Sequence, residues 1–153
     1  MQKKVKVLVG GVFDIIHPGH IYFLKRAKEL GDELIVVIAR DSTVIKKKGR
    51  KPILPENIRK EIVEALKPVD RAVLGYEEGD IYKIVEEVKP DIIALGYDQD
   101  LDPKELEKEL SKRGLNVKVV RIDKYNHKLA ATRRIISKIV QEVCANEKEN
   151  RNC

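Results

Sequence analysis

Short apolar runs alternate along the chain with stretches whose apolar residues recur at helical spacing. Residues 4–9 (KVKVLV) predict a strand, followed at once by Gly10 and Gly11. Ile21, Leu24, Ala27 and Leu30 recur at steps of three, which predicts a helix over residues 18–30 with Gly31 as its stop. Residues 33–39 (ELIVVIA) form a continuous apolar run, the pattern of a strand covered on both faces. Residues 41–54 carry no such pattern and read as a polar, basic loop.

The alternation continues to the end of the chain. Helices are predicted over 56–66, 80–88, 103–113 and 130–144, and strands over 71–74, 91–95 and 117–121. Pro68, Pro90 and Gly114 stand just past three of these helices, where the helical pattern stops. Strands that alternate with helices call for right-handed crossovers and a parallel sheet. The expected fold is α/β, a Rossmann-like, doubly wound sheet of five parallel strands in the order 3-2-1-4-5. In such a sheet a ligand lies at the carboxyl ends of the central strands.

Length agrees with a single domain: 153 residues leave no room for a second sizeable one. The domain is expected over 1–144, with a polar, disordered tail over 145–153. At 42% hydrophobic and 37% charged residues the composition is globular, and with Trp absent the core must be aliphatic. Cys144 and Cys153 lack metal spacing and read as reduced thiols of a cytoplasmic protein. No apolar run is long enough to span a membrane. The net charge of +6 is spread over the chain and mixed with 25 acids; only KKKGRK, residues 46–51, is a concentrated block. That distribution suits a small polyphosphate better than nucleic acid.

The chemistry concentrates after the first strand, in GGVFDIIHPGH, residues 10–20. Paired glycines let backbone approach a ligand. His17 and His20 are two of only three histidines, and their spacing sets both on one face at a helix start. A helix N-terminus offers free N–H groups and positive dipole to a phosphate. The basic block follows the second strand on the same ligand-facing edge, with Lys46 as a candidate catalytic cation and Lys48 as a candidate acceptor contact. Asp98 stands in LGYDQD after the fourth strand, where a carboxylate can meet a ribose or a base. Tyr125 is placed to pack on a base, and His127 reads as a surface residue.

The GG-x-FD-x-x-H-x-G-H run, with this order of elements behind it, resembles the HxGH nucleotidyltransferase superfamily of cytidylyltransferase-like proteins. The resemblance covers nearly the whole chain. It implies that His17 and His20 stabilise charge on the α-phosphate of a nucleoside triphosphate while an acceptor phosphate attacks in line. It places the nucleotide against Val12, Phe13, Pro18, Gly19 and the two histidines, then Asp98, Tyr125, Thr132 and Arg133. It places the acceptor against Asp14, Lys48 and Arg59. A divalent ion, Mg²⁺ by expectation, comes with the triphosphate and has no protein cage, and a homodimer is implied.

The sequence departs from the family pattern at two places. Val12 stands where relatives often have Thr, and Ala130-Ala131 where they carry hydroxyl residues ahead of the last helix. Residues 39–75 together with KPDIIALGYDQ (89–99) look most like the archaeal FAD synthases, which transfer AMP from ATP to FMN. Glycerol-3-phosphate cytidylyltransferases are the alternative, but NHKLAATRR (126–134) lacks their RTEGISTT signature. A non-catalytic nucleotide or RNA binder is the alternative of another class.

Overall fold

The computed structural model describes residues 3–149. β1 (Lys6–Gly11) is central, pairing in parallel with β2 (Glu33–Ile38) on one side and β4 (Ile92–Leu95) on the other. β3 (Arg71–Leu74) pairs with β2 and β5 (Lys118–Arg121) with β4, so the five-stranded order is β3-β2-β1-β4-β5. This is the expected doubly wound topology.

Two apolar layers sandwich the sheet because strand side chains alternate faces. Val7 and Val9 of β1, with Leu34, Val36 and Ile38 of β2, point to the face covered by Leu24 and Ala27 of α1 (Pro18–Lys28) and Val63 of α3 (Glu56–Glu64). Leu8, Ile35 and Ile93 point the other way, onto α4 (Ile81–Val88) and α5 (Pro103–Lys112). Fully burying one such aliphatic side chain stabilises the fold by roughly 1.5–3 kcal/mol. Asp80 and Asp102 cap α4 and α5 by accepting backbone N–H bonds from the first turn of each helix.

Several element ends differ from expectation by a residue or two, and three differences bear on the site and the tail. Residues 41–48 are not loop but a helix, α2 (Asp41–Lys48), closed by Gly49 in the left-handed region at φ 71°. The last helix, α6 (Thr132–Glu149), starts later than residue 130 and runs past residue 144 into the expected tail. Residues 150–153, with Cys153, lie outside the described residues; Cys144 is half-buried on α6. Finally, β1 begins at Lys6 and runs through both glycines. Among the described residues no helix is long and apolar enough to cross a membrane.

Candidate active site

At the carboxyl ends of β1 and β4 lies a cavity of about 750 Å³, the place that a doubly wound sheet reserves for ligands. Its floor is the strand ends. Gln99 ties them together: its side-chain N–H donates to the Gly10 carbonyl at 3.1 Å, and its oxygen accepts from the Gly96 N–H at 2.7 Å. Arg121 holds the same turn from β5, donating to the carbonyls of Gly96 and Gln99 at 2.8 and 3.0 Å and to that of Leu101.

His17 and His20 stand at the cavity's centre because α1 begins there. His17 is the N-cap of α1: its Nδ1 accepts from the Gly19 N–H at 3.1 Å and from the His20 N–H at 3.4 Å. His20 answers three residues on, its Nδ1 accepting from the His17 N–H at 3.3 Å, so that two imidazoles form a reciprocal capping box. The rings stack with centroids 3.6 Å apart. Gly19 makes this possible, because a Cβ there would sit 2.9 Å from the His17 ring and 3.2 Å from Ala130 Cβ.

The caps decide the protonation state of both rings. Each Nδ1 accepts a backbone N–H, so a neutral ring carries its proton on Nε2 and offers the cavity a donor. A second proton would have to enter at Nδ1, against those N–H groups. Burial pushes His20 down to about 3, helped by the nearby His17 and Lys48. Burial also lowers His17, with Asp98 pulling the other way. Both are therefore neutral donors at neutral pH.

The flanks of the cavity differ in charge. On the α2 side Lys48 and Arg50 line it, with Val44 and Pro52. On the β4–β5 side the lining includes Asp98, Asp123, Tyr22, Tyr97 and Tyr125. Tyr22 donates to Asp123 at 2.8 Å and stacks on Tyr125 at 5.1 Å. Thr132 and Arg133, at the start of α6, close the rim, and Thr132 is tied to the Ile15 carbonyl at 3.1 Å. Among the described residues no group of three or more His, Cys, Asp or Glu could cage a metal ion.

Of the residues expected at the site, Val12, Phe13, Asp14, His17, Gly19, His20, Lys48, Asp98, Tyr125, Thr132 and Arg133 line this one cavity. Their parts differ from expectation in two cases. Phe13 is only 4% exposed; held at φ 51°, it turns its ring into the core and under His20 at 5.2 Å. Asp14 has both oxygens occupied, accepting the N–H of Ile53 at 2.7 Å and of Leu54 at 2.8 Å.

Three expected contacts are not in the wall. Pro18 is exposed in the first turn of α1, where its fixed φ suits the helix start. Lys46 is exposed on α2, away from the lining that Lys48 joins. Arg59 cannot reach an acceptor, because it is fully buried and bonded on all sides. It donates to the carbonyls of Leu54 at 2.9 Å and Val12 at 2.8 Å, and pairs with Asp41 at 2.7 Å. Conversely, Tyr22, Arg50, Gln99 and Asp123 belong to the site without having been expected there. Arg50 had a sequence signal, sitting in the basic block just after Gly49; Tyr22 and Asp123 had none, because their contact spans the fold.

Comparison with known proteins agrees with this geometry. Residues 8–147 match the cytidylyltransferase-like family. A protein named FAD synthase from Aciduliprofundum boonei is 61% identical over 91% of this chain and 93% of its own length. One of the same name from Thermococcus sibiricus is 50% identical over 94% of this chain and 97% of its own. Among solved structures, the lipopolysaccharide core biosynthesis protein of Thermoplasma volcanium superimposes with a TM-score of 0.77 at 55% identity, over 81% of this chain and all of the other. Pantoate-beta-alanine ligase of Francisella tularensis shares the fold at a TM-score of 0.60 and 17% identity, over 83% of this chain and 62% of the other. A cavity built on a histidine capping box at the switch point of the sheet, with these relatives, makes this chain a member of the cytidylyltransferase-like family.

Proposed function

We propose that the cavity transfers AMP from ATP to the phosphate of FMN, giving FAD and pyrophosphate. The observation that carries the chemistry is the pair of Nε2–H donors fixed by the capping box between a cationic and a carboxylate flank. The acceptor follows from the name FAD synthase shared by relatives 50–61% identical over most of the chain.

The two flanks divide the substrates. A nucleoside presents hydroxyl and amine donors, which suit the Asp98 and Asp123 carboxylates, and an aromatic base suits Tyr125. A phosphate monoester is an anion, which suits Lys48 and Arg50. The triphosphate then crosses the floor between them, over the histidines and the N-terminus of α1.

In the reaction an oxygen of the FMN phosphate attacks the α-phosphorus of ATP. The bond from that phosphorus to the bridging oxygen of the β-phosphate breaks, and pyrophosphate leaves with the electron pair. His17 and His20 donate hydrogen bonds where negative charge builds on the transferring group. Being neutral, they share the Nε2 proton in a hydrogen bond and do not transfer it, so their part is electrostatic, and the rest of the rate comes from alignment. A divalent ion, Mg²⁺ in this reading, arrives as part of the nucleotide substrate, held by phosphate oxygens and water.

The reading is tested by products. Purified protein with Mg²⁺, ATP and FMN should yield FAD and pyrophosphate, and with CTP and glycerol 3-phosphate it should yield no CDP-glycerol. CDP-glycerol alone would move the chain to the other branch of the family. Binding of RNA without turnover of any triphosphate would replace the catalytic reading with a binding one.

A further inference from the structure

α2 reaches the cavity with little to hold it. The helix is eight residues long and buries only Thr43 and Val44. Its N-cap, Arg40, makes no side-chain cap bond, so the first N–H groups need partners from outside the helix. Asp41, Val44 and Lys48 follow steps of three and four and share one face. Val44 and Lys48 line the cavity, while Asp41 stands at the start of the same face. Whatever fixes Asp41 therefore aims Lys48.

α3 does the fixing from the side. Glu56, its first residue, accepts the backbone N–H of Asp41 through Oε1 at 3.0 Å. The other oxygen, Oε2, accepts from the Arg40 guanidinium at 3.0 Å. The Arg40 Nε–H donates in turn to the Gly75 carbonyl at 2.6 Å, just past the end of β3. Three residues along α3, Arg59 pairs with the Asp41 carboxylate at 2.7 Å. Glu56 thus does for α2, from another helix, what an N-cap side chain does within one. A carboxylate at that place also suits the positive end of the helix dipole.

We propose that Glu56 is a positioning residue for the acceptor phosphate, acting through α2 on Lys48. This rests on the reading of the cavity as the place of transfer to FMN. From Asp41 to Lys48 the helix spans about 10 Å, so a tilt of about 10° at its start moves the Lys48 end by about 2 Å. A misplacement of about 1 Å is enough to cost roughly a hundredfold in a phosphate transfer that depends on alignment. Thr43 adds one bond on the opposite face, its hydroxyl donating to the Glu77 carbonyl at 3.0 Å. That bond gives the helix a pivot, and Glu56 sets the direction. Past Lys48 the chain turns at Gly49, and the segment that carries Arg50 is held separately, by Asp14. The nucleotide flank does not share this dependence, because Asp98 and Tyr125 follow β4 and β5 on the other side of the cavity.

Steady-state kinetics of FAD formation test it. Glu56→Ala should raise the KM for FMN about tenfold and that for ATP by less than about twofold. Glu56→Gln, whose amide oxygen still accepts the Asp41 N–H, should stay within about threefold of wild type. Glu56→Asp is one methylene shorter and keeps the charge; it should show the same split between substrates more weakly, and it serves if the Ala variant does not fold. In a Lys48→Ala background Glu56→Ala should add no more than about twofold, because the group that it aims is gone. A Glu56 that only held the fold together would reduce the amount of active protein and leave both KM values where they were. Equal rises in both KM values, Ala and Asp variants with a wild-type KM for FMN, a Gln variant as impaired as Ala, or independent effects of Glu56→Ala and Lys48→Ala would each overturn the proposal. Absence of FAD from the wild type would overturn the reading of the acceptor, and the role of Glu56 with it.

Discussion

The Nδ1 of His17 accepts the backbone N–H of His20 at 3.4 Å, while the Nδ1 of His20 accepts that of His17 at 3.3 Å. The residues that meet the substrate are therefore also the residues that start α1. Replacing His17 with Ala removes both functions at once. His17→Asn separates them, because Asn is a strong N-cap and lacks the Nε2–H donor. We expect His17→Asn to keep its thermal midpoint near wild type while kcat falls roughly a hundredfold. A parallel loss of stability and turnover would make His17 a structural residue alone.

Burial of the same two rings predicts the response to pH. The folded-state pKa of His20 is pushed from 6.5 to about 3, and His17 is also lowered. An unfolded chain takes up protons below about 6.5 that the folded chain refuses, so stability is lost as pH falls through that value. The thermal midpoint of the free protein should drop steadily from pH 7 to pH 5, and less steeply in His20→Asn. If both rings stay neutral with nucleotide bound, titration calorimetry of ATP at pH 7 should give the same heat in buffers of different ionisation enthalpy. A heat that tracks the buffer would mean that a ring takes up a proton.

Asp14 tests the α2 side of the cavity. Its carboxylate pins the backbone of Ile53 and Leu54, and so the strand of chain from Gly49 to Pro52 that carries Arg50 to the wall. Asp14→Ala should raise the KM for FMN by roughly tenfold, with a smaller effect on that for ATP. Equal effects on both would place Asp14 at the transferring phosphate itself.

Arg59 joins three segments without touching the cavity. Arg59→Met keeps most of the buried stem and removes every donor, leaving Asp41 and two carbonyls unpaired. Unfolding by denaturant should show a loss of about 2–3 kcal/mol, because two buried carbonyls lose their donors while Asp41, a third exposed, is partly screened by solvent. Arg59→Lys should recover part of it. A stable Arg59→Met with a raised KM for FMN would return Arg59 to the acceptor.

The parallel sheet was legible because each strand is a run of Val, Ile and Leu set between helical patterns, and 3-2-1-4-5 is one of the common doubly wound orders such units adopt. The histidines were legible because strand, glycines and spacing coincide. α2 was hidden by its lysines: it buries only Thr43 and Val44, so its periodicity is faint, although Asp41 at its start and Lys46–Lys48 at its end suit the helix dipole. Arg59 illustrates a different limit. A helical arginine near a phosphate site looks the same in sequence whether it faces ligand or is buried against a carboxylate, and only the position of Asp41 decides.

The Gln99 amide links the ends of β1 and β4 across the switch point, and Arg121 fixes the turn that carries it. Those two strands cannot splay apart to admit a substrate. The parts in which two ligands differ are then met at the margins, by the Gly49–Pro52 segment on one side and the tyrosine pair on the other, over a base that is held in place. An enzyme built this way can change its acceptor over evolution by altering a margin while the phosphate chemistry at its centre stays the same.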